Sequence, residues 1–186
     1  MKDEEIVALY WERDEQAVLQ TKEKYEHYLT KISYNILADL EDCRECVNDT
    51  YLAAWNSMPE HRPNVLSTYL GRMIRQISID VFRKKTSQKR RDSEYALSLE
   101  ELEDVVSGGV SPEQALEADR LKESLSSFLR GLSGEERKLF IGRYYFFDSL
   151  KRTADYLGMS EGKAKSMLYR IRMRLKEYLV KEGFEP

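Results

Sequence analysis

The chain has 186 residues, 41% apolar and 34% charged, with a net charge of −3. This is enough for one or two small domains with modest cores, and it argues against a generally basic nucleic-acid binder. Nine glycines and four prolines favour helices over a turn-rich β fold. The first thirty residues hold no apolar h-region, and no apolar run approaches the roughly 18 residues of a membrane span, so a cytoplasmic protein without membrane insertion and with reduced thiols is expected.

Residues 4–37 are predicted as one helix. Asp14 is available as a cap, and Ala17, Val18, Tyr25, Tyr28, Leu29, Ile32 and Ile36 recur at helical spacing. A turn at Asp39–Asp42 starts a second helix that ends near Ser57, before Pro59. The segment MPEHRPNVLS, 58–67, is a loop because it carries two prolines. A third helix, about 67–85, places Leu70, Met73, Ile74, Ile77, Val81 and Phe82 on one side. Residues 86–110 are the best linker, closed by SGGVSP, and Ser111-Pro112 suits a helix start. In GLSGEERKLFIGRYYFF, 131–147, Ser133 and Glu136 have capping-box spacing. The expected fold is all-α: two small helical domains, 1–88 and 113–186, joined by an acidic linker, 89–112.

Charge is segregated along the chain. Arg83, Lys84, Lys85, Lys89, Arg90 and Arg91 form one basic cluster. Asp92–Asp119 contains nine acidic and no basic residues, and Lys163–Lys176 contains six basic and no acidic ones. Two basic zones around an acidic spacer fit two polyanion-contacting surfaces. Solvated helix faces are the alternative.

The stretch LKRTADYLGMSEGKAKSMLYRIRMRLKEYL, 150–179, has the pattern of a helix-turn-helix. Ala154 is small where two helices would approach, Gly158 suits a turn with positive φ, and Ser160 can cap the second helix. Ala164, Met167, Leu168, Ile171 and Leu175 form its apolar stripe, although Thr153 and Ala164 are weak core choices. The other faces carry Lys163, Lys165, Ser166, Arg170, Arg172, Arg174 and Lys176. Such a helix can enter a DNA major groove while the cations meet phosphates. An ordinary amphipathic hairpin is the alternative.

DCRECVNDTYLAAW, 42–55, resembles the second-helix pattern of bacterial sigma factors of the extracytoplasmic-function group through Asp42, Glu45, Val47, Asp49, Leu52, Ala54 and Trp55. YLGRMIRQISIDVFRKK, 69–85, is similar to the group's next helix through Leu70, Arg75, Asp80, Arg83 and Lys84. The segment from LSGEERK through the helix-turn-helix is similar to its second conserved domain.

The resemblance implies a non-enzymatic subunit that binds core RNA polymerase and directs promoter recognition, melting and transcription initiation, without a cofactor. Asp42, Arg44, Glu45, Asn48 and Asp49 would meet the polymerase clamp helices. The loop with Arg62 and Asn64, and the helix with Arg72, Arg75, Gln76, Asp80, Arg83 and Lys84, would handle the minus-ten element as single strand. Gln76 stands where the group usually has Asn. Lys163, Lys165, Ser166, Tyr169, Arg170 and Arg172 would read the minus-thirty-five element, with Met167 in place of a frequent Arg. Leu139, Phe140, Tyr144 and Tyr145 would pack on the polymerase flap or form the domain core. The linker would thread polymerase channels or serve as a disordered spacer. An anti-sigma factor is a further partner the group allows, although no residue names it. The competing function is a stand-alone helix-turn-helix regulator acting as a dimer.

Cys43 and Cys46, the only cysteines, lie three apart on the second helix and share a face. The group places packing residues there, so buried thiols are expected over redox or metal chemistry. An enzymatic reading has little support: His27 and His61 lack a catalytic pattern, and zinc would lack ligands.

Overall fold

The computed structural model describes residues 1–85, 93–103, 105 and 115–184. Among these residues all regular structure is helical, in nine helices. The chain divides into two compact units, Met1–Ala96 and Leu97–Pro186. The cations Lys89, Arg90 and Arg91, the acidic-stretch residues Asp92, Asp104 and 106–114, and with them the Ser111-Pro112 helix start lie outside the described residues.

In the first unit, α1 (Asp3–Trp11) lies on α2 (Gln16–Leu37), which packs on both α3 (Leu40–Ser57) and α4 (Leu66–Lys84). The predicted single helix over 4–37 is therefore two. The break has a tertiary cause: Arg13 takes a left-handed backbone, φ 58°, and donates from Nη1 to the Trp55 carbonyl at 2.8 Å. The Asp14 carboxylate accepts from the Gln16 N–H at 2.8 Å, but the N-cap position of α2 is Glu15, so Asp14 stands one residue before the cap position predicted for it. Ala38 ends α2 in the left-handed region, and Asp39 opens α3 by accepting from Glu41 and Asp42 N–H.

The core of this unit is Ile6, Tyr10, Leu29, Ile32, Ile36, Met58, Leu66, Leu70 and Ile74, all essentially fully buried. Where α2, α3 and α4 meet, the side chains are small. Cys43 and Cys46 are buried beside Ser33 and Ser78, whose hydroxyls bond each other at 2.9 Å. Burial raises both thiol pKa values, against hydrogen bonds to Ser33 for Cys43 and to Ser78 and Ser33 for Cys46, so the thiols behave as small core groups.

The predicted linker contains a helix, α5 (Glu94–Glu103), and the unit boundary falls inside it. In the first unit, Tyr95 packs edge-on against Phe82 with ring centroids 4.9 Å apart. In the second unit, Leu102 and Val105 join the hydrophobic core. The acidic composition hid a few apolar residues that give this segment a buried side.

The second unit continues with α6 (Ala115–Gly131), α7 (Gly134–Tyr144), α8 (Leu150–Tyr156) and α9 (Glu161–Lys181). The capping box at α7 forms as expected: the Glu136 N–H donates to Ser133 Oγ at 3.3 Å, and the Ser133 N–H to Glu136 Oε2 at 3.0 Å. Between α8 and α9, Gly158 has φ 65° and Ser160 Oγ accepts from the Lys163 N–H. The stripe Ala164, Met167, Leu168, Ile171 and Leu175 is buried, extended by Leu179.

Thr153 and Ala164 are core residues after all, because the helices approach closely. A Cβ on Gly142 would stand 2.8 Å from Thr153 Cγ2, a short and buried branch that cannot swing away. Gly142→Ala gains up to ~1 kcal/mol of helix propensity but incurs ~1–3 kcal/mol of overpacking. The expected net loss is about 1 kcal/mol by urea denaturation, and Thr153→Ser, which removes that methyl, restores it. Burial of the thiols also predicts that maleimide labels Cys43 and Cys46 in the unfolded chain within minutes, and in the native protein far more slowly.

Candidate nucleic-acid interface

Three polar surfaces form on helices whose opposite sides are buried. On α3, Cys43, Cys46, Val47, Thr50 and Ala54 face inward, which turns Arg44, Glu45, Asn48 and Asp49 to solvent. Leu40, Arg44, Asn48 and Leu52 follow one another at four-residue spacing, with Leu40 and Leu52 58% and 60% exposed. Glu41, Glu45 and Asp49 form the neighbouring acidic row. Asp42 is half-buried and bound by Lys85, at the end of α4. Neither exposed leucine carries a site signal in the sequence, although Leu52 lies within DCRECVNDTYLAAW. An apolar residue at core spacing looks the same in sequence whether or not a neighbouring helix covers it.

On α4, Leu66, Leu70, Gly71, Ile74 and Ser78 are buried. Arg72, Gln76 and Asp80 share one face at four-residue spacing, with Arg83 and Lys84 exposed beyond them. Gln76 Nε2 donates to both carboxylate oxygens of Asp80, at 3.1 and 3.2 Å, so this amide is oriented by its own helix. Arg75 lies on the next row and is half-buried.

The loop observed between α3 and α4 spans 58–65. Met58 anchors it in the core, and the Tyr69 hydroxyl donates to Ser57 Oγ at 2.8 Å at its base. Arg62 and Asn64 are exposed, and the Arg62 guanidinium lies over the Trp11 ring, 5.7 Å from its centroid. Nothing in the chain order signals that α1 ends beside this loop.

On α9, Lys163, Lys165, Ser166, Tyr169 and Arg170 are exposed, and Tyr169 retains 56% of its surface. Lys163 lies 3.6 Å from Glu135, and Arg174 pairs with Glu136 at 2.7 Å, so both are tied to the start of α7. Arg172 departs from its predicted company. Its side chain is 17% exposed, donates to the Tyr144 hydroxyl at 2.7 Å and lies 3.5 Å from Glu101. Met167 is buried in the apolar stripe of α9 and takes no part in the exposed set. Leu139, Phe140 and Tyr144 are buried in this core and Tyr145 is half-buried, so the first three follow the domain-core alternative.

Arg172 belongs to a network built on Arg143, whose side chain is 3% exposed. Glu101 from α5 accepts from Arg143 Nη2 at 2.7 Å and from the Tyr144 hydroxyl at 2.8 Å, and Arg143 Nη1 donates to the Asp148 carbonyl at 3.1 Å. Burial alone would raise the Glu101 carboxyl pKa, but the bonds and charges of Arg143, Tyr144 and Arg172 outweigh it and leave it lowered. Among the described residues no group of three or more His, Cys, Asp or Glu is placed to hold a metal. No helix among them is long and apolar enough to cross a membrane.

Residues 22–88 match the model of sigma-70 region 2. The chain is 23% identical over 169 residues to the ECF RNA polymerase sigma factor SigW of Bacillus subtilis, covering 89% of this chain and 90% of that protein. It is 23% identical over 155 residues to the ECF RNA polymerase sigma factor SigE of Mycolicibacterium smegmatis, covering 83% of this chain and 58% of that one. A solved structure of CnrH in complex with the cytosolic domain of CnrY shares 18% identity at a TM-score of 0.45, covering 96% of this chain and 97% of that chain. The chain thus carries a sigma-70 region 2 match over residues 22–88 and is similar over most of its length to sigma factors of the extracytoplasmic-function group.

The Glu101 network makes a stability prediction. Glu101→Ala leaves the Arg143 charge buried without its carboxylate and costs about 3 kcal/mol, read from urea denaturation of the full chain. Because the folded carboxyl pKa is lowered, its contribution is complete above the unfolded value and is lost as pH falls through the folded one. The stability difference between wild type and Glu101→Ala therefore shrinks as pH falls below the ordinary carboxylate range and on through the lowered folded value.

Proposed function

We propose that this chain is a sigma factor that binds core RNA polymerase through the outer face of α3, opens and reads the minus-ten element with the loop 58–65 and α4, and reads the minus-thirty-five element with α9. It is a non-enzymatic, cytoplasmic specificity subunit that needs no cofactor. On α3, Arg44, Glu45, Asn48 and Asp49 supply the polar contacts to the clamp helices and Leu52 an apolar one, while Asp42 exchanges Lys85 for a polymerase cation. On α4, Arg72, Arg83 and Lys84 neutralise phosphates, and the Gln76–Asp80 pair presents an oriented amide and carboxylate to bases. On α9, Lys165, Ser166, Tyr169 and Arg170 enter the groove, and Lys163 flanks it at the backbone. Arg172 holds the α9 scaffold. The flap contact falls to Tyr145 and its neighbours.

The observation that carries this reading is the separation of exposed polar faces on α3, α4 and α9, each backed by a buried apolar stripe, in the order the family's functions require.

The test is transcription by core polymerase plus the purified chain on a library of genomic promoter fragments. Initiation from a subset of fragments is the expected result. A dimer that binds a palindromic duplex without polymerase would instead identify a stand-alone regulator. Asp49→Arg should weaken core polymerase binding at least tenfold in a competition assay, since reversing a contact charge adds repulsion to the lost attraction. Arg170→Ala should leave that binding intact and lower promoter affinity by ~1–3 kcal/mol.

A further inference from the structure

We infer that Trp11 and Arg62 together form a stacking platform for one base of the single-stranded DNA received by the loop 58–65, an inference that rests on the minus-ten role proposed above. Trp11 ends α1, outside the residues matched to sigma-70 region 2. The rest of α1 is well packed: Ile6, Val7 and Tyr10 are buried, and the Tyr10 hydroxyl bonds Thr21 at 2.9 Å. Trp11 nevertheless keeps 44% of its surface exposed. Its position is set from both sides. Tyr10 packs against Trp55 with centroids 6.2 Å apart, and the Arg13 guanidinium lies 5.3 Å from the same ring. Arg13 adopts its unfavourable left-handed backbone while making that contact and bonding the Trp55 carbonyl.

The partner is equally anchored. The His61 N–H donates to the Ser57 carbonyl at 3.1 Å, so Arg62 follows a fixed turn and brings its guanidinium over the indole. An indole beside a guanidinium offers two planar faces suited to stacking with any base. The exposed carboxylates of Glu12, Asp14, Glu15 and Glu60 lie close by in the chain and disfavour backbone phosphate, which leaves a base as the fitting ligand.

The test uses holoenzyme assembled from the full chain and core polymerase on a promoter fragment recovered from the library above. The non-template strand carries an abasic site at one minus-ten position at a time, and open-complex lifetime is measured. In wild type, one abasic position should shorten the lifetime roughly tenfold, the effect of losing a stacked base. Trp11→Ala should shorten it similarly on the intact promoter and make that same abasic site silent. Trp11→Phe should retain most of the lifetime, and Arg62→Ala, in an exposed loop, should show weaker coupling at the same position. Effects of protein and DNA changes that multiply at every position would overturn the platform, even if Trp11→Ala fails to fold and only the Arg62→Ala and Trp11→Phe variants can be read. Weakened assembly with polymerase and an unchanged open-complex lifetime would overturn it too, by making the pair a protein contact. Failure of the wild-type chain to bind polymerase at all would overturn the proposed function and this inference with it, whereas normal assembly with uncoupled effects would overturn the platform alone.

Discussion

At the junction of α2, α3 and α4 the side chains are small: Ser33, Cys43, Cys46 and Ser78. Two thiols and a hydroxyl pair let three helices approach with their polar atoms satisfied inside the cluster. Every outward face of the first unit is set by this inward one. With Cys43, Cys46 and Val47 pinned inside, Arg44, Glu45, Asn48 and Asp49 have only solvent to face. With Ile74 and Ser78 inside, Arg72, Gln76 and Asp80 line the opposite side of α4. The cysteine pair therefore acts here through its size, as small buried groups.

The second unit solves the same problem with a buried charge. Arg143 can be tolerated in the core because Glu101, the Asp148 carbonyl and the bonded Tyr144 and Arg172 surround it with partners. That arrangement takes one cation of the α9 run out of the exposed set. It also draws α5 residues into the unit's core, so a segment whose composition suggests a spacer contributes packing and an ion pair.

Several elements were legible in the sequence because their signals are local. The Ser133–Glu136 capping box, the Ser160 cap, the left-handed Gly158 and the Ala164–Leu175 stripe depend on residues within a few positions of each other. The break at Arg13 and the burial of Arg172 were not legible, since each rests on a partner far away in the chain, Trp55 in one case and Glu101 with Tyr144 in the other. A basic residue in a basic run carries no mark of which carboxylate it will meet.

The sequence by itself determined the helical class, the order of the elements and the helix faces that are polar, because periodicity and caps are properties of neighbouring residues. It also carried the family resemblance, through motifs in the right order. Only the tertiary structure decided which members of those faces stay in solvent. It withdrew Arg172, tied Asp42 to Lys85, exposed Leu40 and Leu52, and set Trp11 beside Arg62. Each of these outcomes depends on a contact between residues far apart in the chain, and helical spacing cannot encode it.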